Sequence, residues 1–179
     1  MNNLELYKED IQKRMEQLDQ RANLEFSDYK GRFVVIIVGG GALVLRGYIT
    51  RATDDIDTLD ADKRLYGLME KYDMNAMANA YLNSFLFNYQ DRAEHIWSGK
   101  KIDYYTASLE DIVVAKICAN RGTDIEDLEA VVNDINWDLL DTLVNDEDEL
   151  RLISMSERGY ADFKACYERF ERKYRPCED

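Results

Sequence analysis

The feature that most constrains the fold is an unbroken apolar run followed at once by three glycines. Residues Phe33–Val38 read Phe-Val-Val-Ile-Ile-Val, and Gly39-Gly40-Gly41 come directly after them. An unbroken run of this kind, rich in β-branched residues, is typical of a strand buried on both faces. The glycines end this strand, and the sequence predicts a short helix over Ala42–Arg46.

The remaining elements follow from hydrophobic periodicity, capping residues and turn signals. Helices are predicted over 3–26, 61–72, from Ser108 onward, 123–134, 136–144 and along an apolar stripe over 150–174. Strands are predicted over 54–59, 92–97 and 101–105, the last two forming a β-hairpin around the Ser98-Gly99 turn. Residues 74–90 are compatible with either helix or strand. Strands thus occupy the first two-thirds of the chain and helices the last third. The predicted fold class is α+β, a small mixed sheet flanked by helices with a C-terminal helical bundle.

The predicted organisation is an α/β core with an N-terminal helix over residues 1–107 and a helical part packed on it over residues 108–179. The 179 residues include 46% hydrophobic ones, which is enough for a real core. The longest apolar run falls well short of the roughly 20 residues that a membrane span needs. The chain is polar from Asn2 onward, so we expect no signal peptide and no membrane.

Charge and rare residues exclude several functions. Lys and Arg number 23 and Asp and Glu 36, a net charge of −13, which argues against broad, non-specific binding of nucleic acids. The single histidine, His95, argues against His-rich metal sites and His-based triads. The three cysteines are widely spaced and predict a reducing, cytoplasmic location rather than a disulfide framework.

The first chemical motif is Asp55-Ile56-Asp57 on the second predicted strand. Residues two apart on a strand share a face, so the two carboxylates are expected on one side. Such a pair repels unless a cation lies between the groups, and carboxylate oxygens suit Mg²⁺. A two-metal arrangement would stabilise both the attacking and the leaving oxygen in phosphoryl or nucleotidyl transfer. The alternative is a solvated strand edge.

The second motif is the glycine run. A strand that ends in glycines and turns into a helix presents backbone N–H groups at a helix N-terminus, which is a phosphate-binding geometry. The segment lacks the Gly-Lys-Ser/Thr of a P-loop, and Val44 occupies the place of the third glycine of a dinucleotide fingerprint. The alternative is a tight turn without a ligand.

Together these residues resemble the nucleotidyltransferase superfamily of DNA polymerase β. The segment VGGGALVLRGYITRATDDIDTL, residues 38–59, is most similar to the small bacterial branch of AbiEii-type toxins and related toxin–antitoxin nucleotidyltransferases. Its Arg51-x-Thr53-x-Asp55 lead-in fits that branch. The segment AKICANRGTDIEDL, residues 115–128, resembles the second motif of the family, a Lys and an Arg followed by acidic residues. The resemblance covers roughly residues 33–135.

The resemblance implies roles for individual residues. Gly39 and Gly40 would hold a nucleotide triphosphate, and Asp55 and Asp57 would bind Mg²⁺. The implied nucleotide-binding set is Gly39, Gly40, Gly41, Arg51, Thr53, Arg121 and Asp124, and the implied catalytic set is Asp55, Asp57, Asp103 and Lys116.

Three of these residues keep more than one interpretation. Asp103, flanked by apolar residues on a predicted strand, is the candidate third metal ligand or general base, and the alternative is a solvated strand residue. Lys116 would neutralise phosphate charge. Arg121 and Asp124 would form a pair that positions Lys116, or would contact substrate. With Asp127, they are also compatible with a simple ion-pair network on helix faces.

The implied function is a Mg²⁺-dependent transfer of a nucleoside monophosphate from an NTP to an acceptor. For this branch the acceptor is a tRNA 3′ end or a hydroxyl of a protein, in a toxin–antitoxin or phage-defence setting with a cognate toxin or antitoxin as partner. One alternative is a non-catalytic member that binds a nucleotide or a partner. Another is an aminoglycoside-type, small-molecule nucleotidyltransferase.

Overall fold

The computed structural model describes residues 5–76, 85–154 and 156–176. Its contacts divide the chain into two compact units, Met1–Asn79 with Gln90–Ala107, and Ala80–Tyr89 with Ser108–Asp179. The start of the predicted N-terminal helix, residues 3 and 4, lies outside the described residues, as does the middle of the ambiguous stretch, residues 77–84. Within the described parts, no helix is both long and apolar enough to span a membrane.

The first unit is an α/β unit built on a five-stranded sheet. Its elements are α1 (Lys8–Glu25), β1 (Phe33–Ile37), α2 (Gly39–Arg46), β2 (Ile56–Leu59), a 3₁₀ turn (Lys63–Leu65), α3 (Tyr66–Lys71), β3 (Met74–Asn75), β4 (Glu94–Ser98) and β5 (Ile102–Thr106). The strand order is β3-β2-β1-β5-β4. β1 lies in the centre, parallel to β5 and antiparallel to β2.

The mixed sheet confirms the predicted fold class. The hairpin is also confirmed, because β4 and β5 pair antiparallel around the Ser98-Gly99 turn. The central strand differs from its prediction in one respect. Val34 is 45% exposed, so β1 is not buried on both faces along its whole length.

The second unit is helical. Its elements after Ala107 are α4 (Leu109–Ala119), α5 (Gly122–Val131), a 3₁₀ turn (Val132–Asp134), α6 (Trp137–Val144), α7 (Glu147–Ile153) and α8 (Glu157–Tyr174). Every residue of α4 from Leu109 to Ile117 is buried, and α5, α6 and α8 pack against this helix. Ser108 caps α4 as predicted, since its Oγ accepts the Asp111 N–H at 3.1 Å.

Several predicted boundaries were wrong. Residues 5–7 precede α1, because Leu6 pairs with Thr53 through N–H···O bonds of 2.8 and 3.0 Å and so stays extended. The predicted helix over 61–72 divides into a 3₁₀ turn and α3, and the C-terminal stripe divides into α7 and α8. α5 begins at Gly122 rather than at a Thr123 cap, and Asp124 accepts the backbone N–H of Arg121 at 3.2 Å.

A buried carboxylate joins α1 to the β4–β5 turn. Asp19 on α1 is 3% exposed and accepts the backbone N–H groups of Lys100, Lys101 and Ile102 at 2.8, 2.7 and 2.9 Å. Three donors replace the water that burial removes from the carboxylate. The tip of the hairpin is therefore built around this side chain.

Adding a methyl group at this tip is expected to destabilise the protein. A Cβ on Gly99 would lie 2.2 Å from Asp19 Cγ, which its three hydrogen bonds hold in place. We expect Gly99→Ala to lower the free energy of unfolding by about 1–3 kcal/mol. Gly67→Ala is the matched control, because a Cβ there meets nothing within 4 Å and lies in α3, where alanine stabilises by up to about 1 kcal/mol. Equal urea midpoints for the two variants would contradict this interpretation.

Candidate active site

The glycine run forms the first turn of a helix. α2 begins at Gly39, not at Ala42, and Gly39 has φ of +62°, a conformation that glycine adopts at little cost. The preceding residue, Val38, offers no side-chain hydrogen bond to cap α2. The N-terminal N–H groups of this helix are therefore presented without a capping side chain, at the positive end of the helix dipole.

Asp57 lies against this turn. Its backbone oxygen accepts the Val38 N–H at 3.0 Å, which places β2 beside the start of α2. The Asp57 side chain is buried, and its Oδ2 would lie 3.8 Å from a Cβ built on Gly39. Its Oδ1 accepts a hydrogen bond from Asn75 Nδ2 on β3 at 2.8 Å. One carboxylate oxygen is thus held by an amide, while the other faces a turn free of side chains.

Thr53 also lies against this turn. A Cβ on Gly40 would lie 2.9 Å from Thr53 Oγ1, so a larger residue at position 40 would displace the threonine. Thr53 is buried, and its hydroxyl donates to the Asp55 carbonyl at 3.3 Å. The structure therefore brings Gly39, Gly40, Thr53 and Asp57 together.

Two other members of the predicted nucleotide-binding set have different surroundings. A Cβ on Gly41 would make ordinary contacts with Ile37 and Asp55, at 3.5 and 3.6 Å, so the packing of α2 leaves room for a side chain at this position. Arg51 is exposed, and its Nη1 donates to the Ala52 carbonyl at 3.1 Å.

Asp55 does not lie on β2. The strand begins one residue later, at Ile56, and Asp55 is exposed whereas Asp57 is buried. Strand alternation along β2 therefore applies to Asp57 but not to Asp55, and the shared face of the two carboxylates stays a prediction. Asp55 is nevertheless only two residues from Asp57, within the segment that passes over Gly41.

The donors at this turn fit Mg²⁺ in kind. In proteins Mg²⁺ uses one or two carboxylates and completes its shell with water and substrate phosphates. Asp57 Oδ2 beside a turn without side chains, with Asp55 two residues away, satisfies that requirement. Among the residues that the structure describes, no group of three or more His, Cys, Asp or Glu side chains is arranged to hold a metal ion.

Asp103 is not brought to this turn. On β5 it is in register with Val34 of β1, whereas Asp57 bonds to Val38. Four residues along β1 separate these positions, which corresponds to about 13 Å. Arg32 holds Asp103 through two bonds, Nε to Oδ2 at 2.6 Å and Nη2 to Oδ1 at 2.7 Å. The hydrogen bond from Arg32 lowers the pKa of Asp103 to about 2, which makes it a poor general base. The structure therefore does not support Asp103 as the third carboxylate.

The Arg32–Asp103 pair predicts a pH dependence of stability. A carboxyl whose pKa is depressed in the folded state contributes stability above its unfolded pKa of about 4 and loses it as the pH falls toward 2. At neutral pH the wild-type protein should therefore have a higher urea midpoint of unfolding than Asp103→Asn. The two midpoints should converge as the pH falls from about 4 toward 2. A difference that stays constant down to about pH 2 would contradict the assignment.

The second candidate cluster lies in the helical unit. Lys116 Nζ on α4 contacts Asp124 Oδ1 at 2.9 Å and Asp127 Oδ2 at 2.7 Å, and both aspartate side chains are 1% exposed. Arg121, half exposed, adds a bond from Nε to Asp124 Oδ2 at 2.8 Å. Burial opposes the charged form of Asp124, but the hydrogen bonds from Arg121 and Lys116 outweigh it and lower its pKa. Asp124 is thus held ionised, and both aspartates contact the same buried lysine.

The predicted residues that the structure brings together therefore form two clusters, each within its own unit. The sequence analysis did not identify Asn75, because the two residues of β3 are too few to show periodicity. Asp127 was noted in the second motif but not assigned to the site. Its spacing of three from Asp124 on one helix was the available signal, since such residues share a face.

Comparison with known proteins bears on the chain as a whole. No curated protein and no solved structure is significantly similar to it. A family model described as "Nucleotidyltransferase of unknown function (DUF6036)" matches residues 13–175. Both clusters, together with most of each unit, fall within the matched range. The chain belongs to this nucleotidyltransferase family.

Proposed function

We propose that the protein is a Mg²⁺-dependent enzyme that transfers a nucleoside monophosphate from an NTP to an acceptor hydroxyl. The observation that carries this proposal is the position of Asp57, whose Oδ2 lies against the uncapped first turn of α2 at Gly39. A helix N-terminus favours phosphate oxygens, and a carboxylate beside it favours a cation that the same phosphates also bind.

Each residue of the site would have its own role in binding the nucleotide and the metal ion. The N–H groups of the Gly39-Gly40 turn would bind phosphate oxygens, and Thr53 would keep the turn in shape. Asp57 and Asp55 would hold Mg²⁺, which when bound would screen the charge on the attacking and leaving oxygens. Asn75, through its bond to Oδ1, would keep Oδ2 of Asp57 directed at the turn. The acceptor hydroxyl would attack the α-phosphorus, and pyrophosphate would leave.

In the helical unit we propose that Arg121 is the group that contacts substrate. Its side chain is 55% exposed, whereas Lys116 is 8% exposed and is already matched by two carboxylates. Asp124 bonds to both cations and would orient Arg121 from its buried end. Lys116 would pair with the two buried aspartates rather than meet the phosphates itself.

For the acceptor we propose a tRNA 3′ end or a protein hydroxyl, in a toxin–antitoxin or phage-defence setting. The acidity of the chain opposes broad RNA binding but not delivery of one RNA end to a cation site. Residues 134–149 carry seven acids and no Lys or Arg, whereas residues 169–175 carry four cations against one acid. The two segments meet in the fold, because Arg175 of the second pairs with Asp141 of the first.

The experiment is incubation of the full chain with each of the four α-³²P-labelled NTPs, Mg²⁺ and either total tRNA or lysate protein. We expect label on one acceptor class, lost when EDTA removes Mg²⁺ and in Asp55→Ala/Asp57→Ala. Asp54→Asn is the matched control, since Asp54 is an exposed neighbouring acid. Label that persists in the double variant or in EDTA would contradict the proposal. Nucleotide binding by calorimetry without transfer would indicate a non-catalytic member instead.

A further inference from the structure

A cavity of about 360 Å³ lies within the helical unit, among α4, α5 and α8. Its described lining consists of Ile117, Asn120, Ile125, Leu128, Cys166, Arg169, Phe170, Lys173 and Tyr174. The volume falls within the range of small-molecule sites. Nothing in the family description or in the two clusters above assigns a role to this cavity.

The walls of the cavity are mainly apolar. Ile117, Leu128 and Phe170 are buried core residues, and Tyr174 adds a second ring 5.3 Å from that of Phe170. Ile125 is an isoleucine that remains 48% exposed. A cavity lined in this way favours an apolar chain or ring, because burying apolar surface of the ligand and of the walls lowers the free energy of binding.

The charge at the cavity is positive. Arg169 donates to Cys166 Sγ at 3.1 Å, and no described Asp or Glu pairs with it. Lys173, the second cation of the lining, is bound to Glu129 at 2.9 Å. The described lining contains no acid, although the chain carries 36 acids and a net charge of −13. Because no described carboxylate pairs with Arg169, its guanidinium group can bind the anionic group of a ligand.

We propose that this cavity binds a small amphipathic anion, with its apolar part against Phe170 and Leu128 and its anionic group on Arg169. A neutral apolar ligand would leave the guanidinium unused, and a fully polar anion would leave the apolar walls exposed to water. The ligand chemistry is therefore a ring or alkyl chain that bears one carboxylate, sulfonate or phosphate group.

The cavity shares its helices with the buried charge cluster. Three lining residues, Ile117, Ile125 and Leu128, directly follow Lys116, Asp124 and Asp127 in the chain. A ligand in the cavity would therefore contact the same turns of α4 and α5 that carry the cluster. Binding nevertheless has its own readout, and its success or failure does not depend on nucleotidyl transfer.

Anilinonaphthalene sulfonate is a suitable probe, because it joins an aromatic body to one sulfonate. We expect saturable fluorescence enhancement with the full chain. Arg169→Gln should weaken binding by about tenfold, and Arg172→Gln, which removes a nearby exposed cation outside the cavity, should change it less than about twofold. Circular dichroism on each variant separates this effect from loss of fold.

A second pair of variants tests the apolar part. Ile125→Glu places a carboxylate in the lining and should abolish the enhancement, whereas Leu152→Glu adds the same charge at a leucine that is 77% exposed and lies elsewhere in the unit. Octanoate and AMP serve as competitors, and displacement by one of them identifies an alkyl or a nucleotide-like source for the ligand. Equal probe affinity in Arg169→Gln and Arg172→Gln, or displacement by neither competitor, would overturn the proposal.

Discussion

Replacing Asp57 by alanine is expected to lower nucleotidyl transfer by about a thousandfold or more, because it removes the only buried carboxylate that faces the Gly39 turn among the described residues. The cation would lose its fixed ligand, and the phosphates would lose the charge that screens them. The measurement is the initial rate of label transfer from the α-labelled NTP identified above. The folded state should survive, because Asp57 accepts a bond from Asn75 at the end of the sheet and not within its central strand.

Asn75→Ala provides the graded comparison. Asn75 acts through Asp57 and so is a positioning residue, for which a loss of about 10–100-fold is expected. A higher Mg²⁺ concentration should restore part of this loss in Asn75→Ala but none of it in Asp57→Ala. If the two variants lost activity equally and neither responded to Mg²⁺, the assignment of Asp57 as a cation ligand would be wrong.

Replacing Lys116 by methionine is expected to destabilise the helical unit by about 3–5 kcal/mol. Methionine has a similar length but no charge, so Asp124 and Asp127 would remain buried at 1% exposure without their shared ammonium group. Asp124 would keep Arg121, whereas Asp127 would lose its ion pair with Lys116. The free energy of unfolding can be measured by urea titration in a Trp97→Phe background, where fluorescence comes from Trp137 of α6 alone.

The double variant Lys116→Met/Asp127→Asn is the control for this prediction. Removing the second charge should restore a substantial part of the lost stability, because a neutral amide is far less costly to bury than a carboxylate that has lost its ion pair with Lys116. Additive losses in the double variant would show that the two residues do not interact as the structure describes. A loss below about 1 kcal/mol in Lys116→Met would show instead that the cluster is solvated.

Local sequence signals were sufficient for much of the fold. The apolar run predicted β1, and the glycines predicted the turn into α2. Ser108 predicted the start of α4 through a side chain that accepts the N–H group three residues later. The Ser98-Gly99 turn predicted the hairpin. Each signal acts over a few residues, so its physical cause is already present in a short segment of chain.

Features that depend on partners far apart in the sequence could not be predicted from such local patterns. Leu6 was predicted to be helical, yet pairing with Thr53 keeps it extended. Arg32, 71 residues away in the sequence, binds Asp103 and holds this carboxylate away from the candidate site. Asn75 reaches Asp57 from a strand of two residues.

The sequence by itself determined that a glycine turn and a carboxylate pair follow a buried strand, because both motifs are contiguous and the strand is coded by adjacent residues. The tertiary structure decided which carboxylate faces the turn. Sheet register places Asp57 beside Gly39 and Asp103 about 13 Å away along β1. Register depends on the packing of strands that are far apart in the chain, and no local pattern records it.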